Sequence, residues 1–264
     1  MSKLSGKVAV ITGGAGGIGR AAGKLFAEAG AQVLLVDINE KALNDAVNYI
    51  SKDNVSYVAA DTSEPDEVKR FVDEAVRLYG GIDIFLANAG IEGELNLIID
   101  TPLEMFDKVM AVNVRGVWLG LKYIMPEMNK RGGGSIVITS STAGVRGSSM
   151  MSPYSTSKHA VIGLMRSAAL EGSGMGIRVN TVNPSPIQTR MMRSIETQRL
   201  EVGGQTFSTV EDIQEATAES SPLKRYGEPE EVAKLMLFLA SDDSSYCSGG
   251  VYMVDGAVTA GRTS

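Results

Sequence analysis

A doubly wound, parallel α/β fold in a single domain is what this sequence predicts. Three observations carry it: short apolar runs alternate with longer amphipathic stretches, a glycine-rich loop follows the first run, and no repeat or linker-like tract divides the chain. The apolar runs, rich in Val and Ile, fall at 8–11, 33–36, 55–59, 84–86, 135–139, 178–182 and 251–254. Continuous rather than alternating hydrophobicity is the mark of strands covered on both faces, so a parallel sheet of about seven strands is expected, with helices on either side. Glycines near 30, 80–81 and 132–134 mark where the intervening helices stop. One segment breaks the alternation. From about Gln188 to Ser221 the chain is polar, methionine-bearing and helical in pattern, too long for an ordinary connection. It is expected to be a substrate lid, with a plain surface excursion or a subunit contact as the alternatives.

Composition narrows the function classes. With 264 residues the chain is long enough to bury a large core, and one domain spanning 1–264 is expected. A formal net charge of -6, without a dense basic cluster, disfavours nucleic acid and anionic membrane surfaces as partners. Cys247 is the only cysteine, which points to a reducing compartment and so to the cytoplasm. The run at 8–11 is too short for a signal peptide or a membrane span and reads as the first strand. The single histidine, His159, has no cluster of metal-ligating residues around it in sequence, and no metal is expected.

The glycine-rich loop is Thr12-Gly13-Gly14-Ala15-Gly16-Gly17-Ile18-Gly19, between the first strand and a helix. Glycines there let the backbone turn sharply and approach a pyrophosphate, whose charge is met by the amides and dipole of the helix N-terminus. About twenty residues on, the second strand ends at Asp37. A carboxylate at that point can accept hydrogen bonds from both ribose hydroxyls of NAD and repels the 2′-phosphate of NADP. Ile38 follows, where a site for NADP would often place a basic residue. NAD is therefore the expected cofactor.

Tyr154 and Lys158 stand four residues apart in a stretch that reads as a helix, so they share one face. His159, the next residue, should point away from that face. Thr12 to Gly19, Asn88-Ala89-Gly90, Asn113, Ser140-Ser141 and Tyr154-Ser155-Thr156-Ser157-Lys158 occur in this order along nearly the whole chain. In order and spacing they resemble the signatures of the short-chain dehydrogenase/reductase family, whose fold is the Rossmann-type sheet expected above. The resemblance implies that Asn113, Ser141, Tyr154 and Lys158 are catalytic, Ser141 being preferred to Ser140 because it stands thirteen residues before the tyrosine. Tyr154 is then the base in alcohol oxidation and the acid in ketone reduction. A tyrosine of ordinary pKa, about 10, is a poor base near neutrality, so Lys158 and the nicotinamide ring are expected to lower it. Ser141 is expected to hold the substrate oxygen, Lys158 to bind the nicotinamide ribose as well, and Asn113 to reach the lysine through a water.

Further cofactor contacts implied by the resemblance are Gly13, Ala15, Gly16, Gly17, Ile18 and Gly19 at the pyrophosphate, and Asp37 with Ile38 at the ribose. Asp61 and Thr62 are expected near the adenine, Asn88, Ala89 and Gly90 along the adenosine side, and Pro184, Ile187 and Thr189 at the carboxamide. Asn88 has the alternative role of tying strands together. Two departures from the family pattern stand out: Ala87 replaces a second Asn, and Ser185 replaces the glycine after Pro184. Ser185 restricts the backbone and adds a hydroxyl close to the expected nicotinamide and substrate.

The substrate wall is expected to include Val145, Met150, Met151, Met191 and Met192, with Ser141, Tyr154 and Ser185 at the reacting end, an adaptable apolar surface for a secondary alcohol or ketone. Arg146, Arg190 and Arg193 offer the alternative of an anionic group. Asp37, Asn88-Ala89-Gly90-Ile91-Glu92 and Arg225-Tyr226-Gly227-Glu228 together are similar to the bacterial NAD-dependent branch acting on cyclic or hydroxylated alcohols. The family resemblance also implies a homotetramer, built on 103–130, 155–171 and 249–260. Two alternatives to the alcohol dehydrogenase are an NADPH-dependent 3-oxoacyl-type ketoreductase, opposed by Asp37, and a non-catalytic NAD sensor, opposed by the intact set of four catalytic residues.

Overall fold

The computed structural model describes residues 2–202 and 207–261, so residues 203–206 of the polar segment lie outside it. Seven strands form one parallel sheet: β1 (Val8–Thr12), β2 (Gln32–Asp37), β3 (Val55–Ala59), β4 (Ile84–Ala87), β5 (Gly134–Thr139), β6 (Ile177–Pro184) and β7 (Val251–Val254). Their order across the sheet is β3-β2-β1-β4-β5-β6-β7. All seven expected strands are present, within one or two residues of the bounds read from the sequence.

Alternate residues of each strand feed two separate apolar layers. Val10, Phe85, Ile136 and Ile138 face one side, where they pack with Phe71 of α3 (Pro65–Tyr79), Ile124 of α5 (Gly116–Lys130) and Met165 of α6 (Ser152–Gly172). Ala9, Ile11, Leu86 and Val137 face the other, against Phe26 of α1 (Gly17–Glu28), Leu43 of α2 (Glu40–Ile50) and Met236 of α9 (Pro229–Ala240). With both faces covered, every strand position can be apolar, which explains the unbroken runs in the sequence. Fully burying a side chain such as Phe26 or Phe71 contributes about 2–3 kcal/mol to this arrangement.

The order of the strands positions the site. β1 pairs with β2 on one side and β4 on the other, so the chain leaves β1 in one direction and returns at β4 to build in the other. At that switch the loops leaving the C-terminal ends of neighbouring strands diverge and open a crevice. The glycine-rich loop and the segment after Ala87 both leave the sheet there. The polar segment contains two helices, α7 (Arg190–Val202) and α8 (Val210–Ser220). The second starts on a capping box in which Thr209 and Asp212 each bond the other's backbone N–H.

Candidate active site

The glycine-rich loop is shaped by its closest approaches. Gly13 lies in the left-handed region, φ 64°, and a Cβ there would stand 2.9 Å from Ala89 Cα. A Cβ on Gly19 would collide with the Gly13 carbonyl, so the loop closes only with glycine at that point. α1 starts after Gly16 without a side-chain cap, which leaves its first amides open to an anion. Asp37 turns back onto the loop: its carboxylate accepts from Ala15 N at 3.3 Å and from Asn39 N at 3.3 Å. Ile38 is 70% exposed beside it.

Asn88 ties three strands together. Its amide donates to the Thr12 and Gly13 carbonyls at 3.2 and 3.3 Å and accepts from Thr139 Oγ1 at 3.0 Å. This is the strand-tying role, and it fixes the end of the glycine loop to β4 and β5. Asp61 accepts from Ser63 N and Oγ at 2.8 and 2.7 Å, closing a turn before α3, while Thr62 is buried against Gly116. Pro184 ends β6, and Ser185 N donates to Val254 O at 3.1 Å. Ile187 is buried and Thr189 caps α7, accepting from Met192 N at 3.3 Å. Thr189 also reaches the cradle: a Cβ on Gly17 would stand 3.0 Å from its methyl group.

α6 begins at Ser152 with Pro153 in its first turn, where the missing N–H costs nothing. Tyr154, Lys158, Val161, Ile162 and Met165 recur on its buried side. His159 is exposed on the other side, its ring bonded to Ser155 O at 2.9 Å. Lys158 is 4% exposed and donates to Thr139 O at 2.9 Å, with Nζ 5.6 Å from the Tyr154 ring centre. The two serines divide their work. Ser140 Oγ donates to Lys158 O at 2.8 Å and is buried in the scaffold. Ser141 Oγ accepts from Ala143 N at 3.1 Å, is partly exposed, and interacts with the Tyr154 phenol.

Asn113 lies in a π-helical turn, Ala111–Arg115, between α4 (Leu103–Met110) and α5. Its amide forms two hydrogen bonds with the Ile91 backbone, accepting from N at 2.8 Å and donating to O at 2.9 Å, and it donates also to Ser157 Oγ at 3.0 Å. The odd polar residue in an apolar stretch is thus satisfied by backbone, and the widened turn is of the kind that often marks functional sites. Gly90 packs between Asn113 and Lys158: a Cβ there would stand 3.2 Å from Asn113 Oδ1 and 3.4 Å from Lys158 Nζ.

The electrostatics depart from the sequence expectation. Burial pushes the Tyr154 phenol up and the Glu92 carboxylate pushes it the same way, while interaction with Ser141 pulls it partly back. Burial lowers the Lys158 ammonium to about 8. The expected lowering of Tyr154 is therefore not produced by the protein's own groups, because desolvation outweighs the help of its neighbours.

Tyr154, Met151 and Met192 share one apolar cluster with Leu95, Ala143, Ile195 and Tyr226, and Met150 and Met191 pack against it. Val145 lies outside this cluster and is 44% exposed. Met150 holds a left-handed backbone, φ 64°. Arg146, Arg190 and Arg193 are all exposed. Sequence reasoning missed Glu92, Leu95, Ala143, Ile195 and Tyr226 as site residues. Glu92 and Tyr226 lie inside strings singled out for similarity, but nothing in their spacing aims them at Tyr154.

Comparison with known proteins agrees with this fold. The family profile described as enoyl-(acyl carrier protein) reductase, of the short-chain dehydrogenase/reductase type, matches residues 13–259. The chain belongs to the short-chain dehydrogenase/reductase family. Its members are oxidoreductases that bind a nicotinamide cofactor. Levodione reductase of Leifsonia aquatica is 37% identical, over 98% of this chain and 96% of its own. The crystal structure of levodione reductase superposes with a TM-score of 0.92 at 36% identity, covering 98% of this chain and 100% of that one. NAD+-bound xylitol dehydrogenase gives a TM-score of 0.89 at 34% identity, with 96% and 98% covered. The 3-oxoacyl-[acyl-carrier-protein] reductase FabG of Thermotoga maritima is 38% identical over 97% of this chain and 99% of its own. No described helix is long and apolar enough to cross a membrane.

Proposed function

We propose that this family member is an NAD-dependent dehydrogenase that interconverts a secondary alcohol and its ketone. The observation that carries the reading is the buried pair Tyr154 and Lys158 on one face of α6, beside the partly exposed Ser141 hydroxyl. The cofactor cradle fits a dinucleotide. Gly13 and Gly19 leave no room for side chains, the first amides of α1 are uncapped, and the Asp37 carboxylate lies against the loop at Ala15 N.

In this reading Gly13 to Gly19 hold the pyrophosphate, Asp37 accepts from the adenosine ribose, and Asp61 and Thr62 border the adenine. Asn88, Ala89 and Gly90 form the floor, Pro184, Ile187 and Thr189 meet the carboxamide, and Lys158 meets the nicotinamide ribose. The cofactor, when bound, supplies the hydride acceptor for oxidation and the donor for reduction. Ser141 Oγ holds the substrate oxygen next to the Tyr154 phenol. Tyr154 Oη takes the hydroxyl proton in oxidation and returns one in reduction. Lys158, whose ammonium burial lowers to about 8, lies 5.6 Å from the Tyr154 ring centre as the cation that would favour phenolate. Both side-chain donors of Asn113 are taken by Ile91 and Ser157, so it acts through the loop it holds. The cluster around Met151 and Met192 forms the apolar substrate wall, and α7 and α8 cover it as a lid.

An NADPH-dependent ketoreductase is the second reading, favoured by the FabG relative. The Asp37 carboxylate on the cradle opposes it, because a 2′-phosphate placed there meets a like charge. Asp37→Ala is expected to weaken NAD about tenfold, in keeping with the loss of charged hydrogen bonds, and to leave NADP unchanged or tighter. Fluorescence titration with both cofactors checks this; equal weakening of the two would refute the selective role. The reaction itself is tested by absorbance of reduced nicotinamide with NAD and NADP in parallel, using cyclohexanol, xylitol and other cyclic and polyhydroxy alcohols. Formation with NAD on one of them is the expected result, and silence across the panel despite NAD binding would overturn the reading.

A homotetramer in the cytoplasm completes the proposal. Leu103 on α4, Trp118 on α5 and Leu170 on α6 expose apolar surface on the helices expected to pair, and the lone cysteine suits a reducing compartment.

A further inference from the structure

Between β4 and α4 the chain runs as an irregular segment, and three separate elements hold it. Asn113 bonds both the N–H and the carbonyl of Ile91. Met150 O accepts from Asn96 N at 3.0 Å, bringing in the stretch before α6. The third hold comes from α7. Gln198 Oε1 accepts from Leu95 N at 2.9 Å, and Gln198 Nε2 donates to Gly93 O and Ser194 Oγ, each at 3.3 Å. Its carboxamide therefore takes one acceptor and one donor two residues apart, the pair that a neighbouring strand would take. A side chain replaces a strand in tying this backbone down.

Gln198 works from a stiff base. Glu196, about half a turn earlier on α7, is 1% exposed, accepting from Tyr226 Oη at 2.8 Å and from Gln214 Nε2 on α8 at 2.7 Å. What Gln198 grips lies close to Tyr154. Leu95 is buried in the same apolar cluster as the tyrosine, and Glu92, whose carboxylate acts on the Tyr154 phenol, directly precedes Gly93. Gly93 itself is left-handed, φ 74°, with Val109 Cγ2 2.9 Å from where a Cβ would be. The segment consequently has little freedom to find another path.

We propose that Gln198 is a positioning residue for substrate: by bonding Gly93 and Leu95 it fixes Leu95 and Glu92 relative to Tyr154 and joins α7 to the opposite wall of the substrate pocket. The inference rests on the reading that the alcohol reacts at Tyr154. It makes seating of α7 and completion of the pocket a single event, since the same carboxamide belongs to both.

Two substitutions test it in the full chain. Gln198→Met keeps length and packing but removes the bonds to Leu95, Gly93 and Ser194; Gln198→Glu keeps the acceptor for Leu95 N and loses the donor to Gly93 O. Amide hydrogen exchange without substrate is expected to be at least tenfold faster at Leu95 in Q198M, near wild type in Q198E, and unchanged in the central strands. With cyclohexanol and xylitol as probes, KM in Q198M is expected to rise about tenfold, with kcat within threefold and the Kd for NAD within twofold. Q198E should fall between wild type and Q198M. Unchanged exchange at Leu95, or faster exchange with unchanged KM, overturns the proposal, as does a rise in KM matched by equal loss of NAD affinity. A wild-type protein silent with every alcohol sinks the dehydrogenase reading instead, and the exchange experiment, which needs no substrate, separates that failure from failure of the clamp.

Discussion

Replacing Tyr154 by phenylalanine is expected to lower kcat at least a thousandfold while the Kd for NAD stays within about threefold. The ring of Tyr154 contributes packing in the cluster with Met151 and Met192, and phenylalanine preserves it. Only the phenolic oxygen is lost. A positioned acid or base contributes roughly 10²–10⁴-fold, and in the proposed mechanism the same atom would also orient the substrate hydroxyl with Ser141, which puts the loss toward the upper end. Fold stability should hardly fall, since burial already works against the charged form of this phenol. Turnover of reduced nicotinamide and a cofactor titration on the same sample check both halves. A variant retaining a tenth of wild-type kcat would remove Tyr154 from the chemistry.

Lys158→Met is expected to do the opposite to stability and the same to activity. The ammonium falls from an ordinary 10.5 to about 8 on folding, and burial is the cause. At 1.36 kcal/mol per pKa unit that displacement corresponds to about 3 kcal/mol against the folded state wherever both states are charged. Below pH 8 the full cost is present. It fades as pH rises from about 8 to 10.5, because the folded chain has lost its proton and the unfolded chain is losing its own. Above 10.5 it is gone. Methionine avoids the cost but gives up the bond to Thr139 O, so a net gain of about 1–2 kcal/mol at pH 7 is expected, shrinking toward pH 10. Urea unfolding at the two pH values reads this directly. A variant less stable than wild type at pH 7, by an amount that does not change with pH, would show that the lysine is not buried at a cost. A gain in stability at pH 7 together with loss of turnover would place the lysine among groups retained for function against stability.

Much of this architecture was legible because parallel strands covered on both sides must be apolar at every position. β3 and β7 were read at their observed ends, Val55–Ala59 and Val251–Val254. The cradle was legible for a related reason: Gly13 and Gly19 meet backbone at distances that no other residue permits. Tyr154 and Lys158 share a helix, and a four-residue spacing carries their proximity. What escaped the reading depends on distant contacts. Asn113 was legible as a residue but not as the centre of a π-helical turn, because the turn is stabilised by Ile91, twenty-two residues away. Gln198 reaches across 103 residues to Leu95, and no local pattern predicts that bond. The weight of burial on the Tyr154 phenol was hidden for the same reason. Charge partners can be read from nearby positions, whereas desolvation is set by Leu95, Ile195 and Tyr226 arriving from elsewhere in the chain.

The strand order also imposes a schedule on synthesis. After β4 pairs with β1, each later strand joins the outer edge of what already exists, β5 on β4, β6 on β5 and β7 on β6. A nascent chain leaving the ribosome can therefore assemble the sheet outward without dismantling an earlier pairing, once the single return across it is made. The glycine-rich loop and Asp37 need only β1, β2 and β4, and this part of the sheet is complete when Gly90 has emerged. Tyr154 and Lys158 follow 64 and 68 residues later, and Gln198 later still. The half of the sheet that carries the glycine loop thus precedes in time the helix that carries Tyr154 and Lys158.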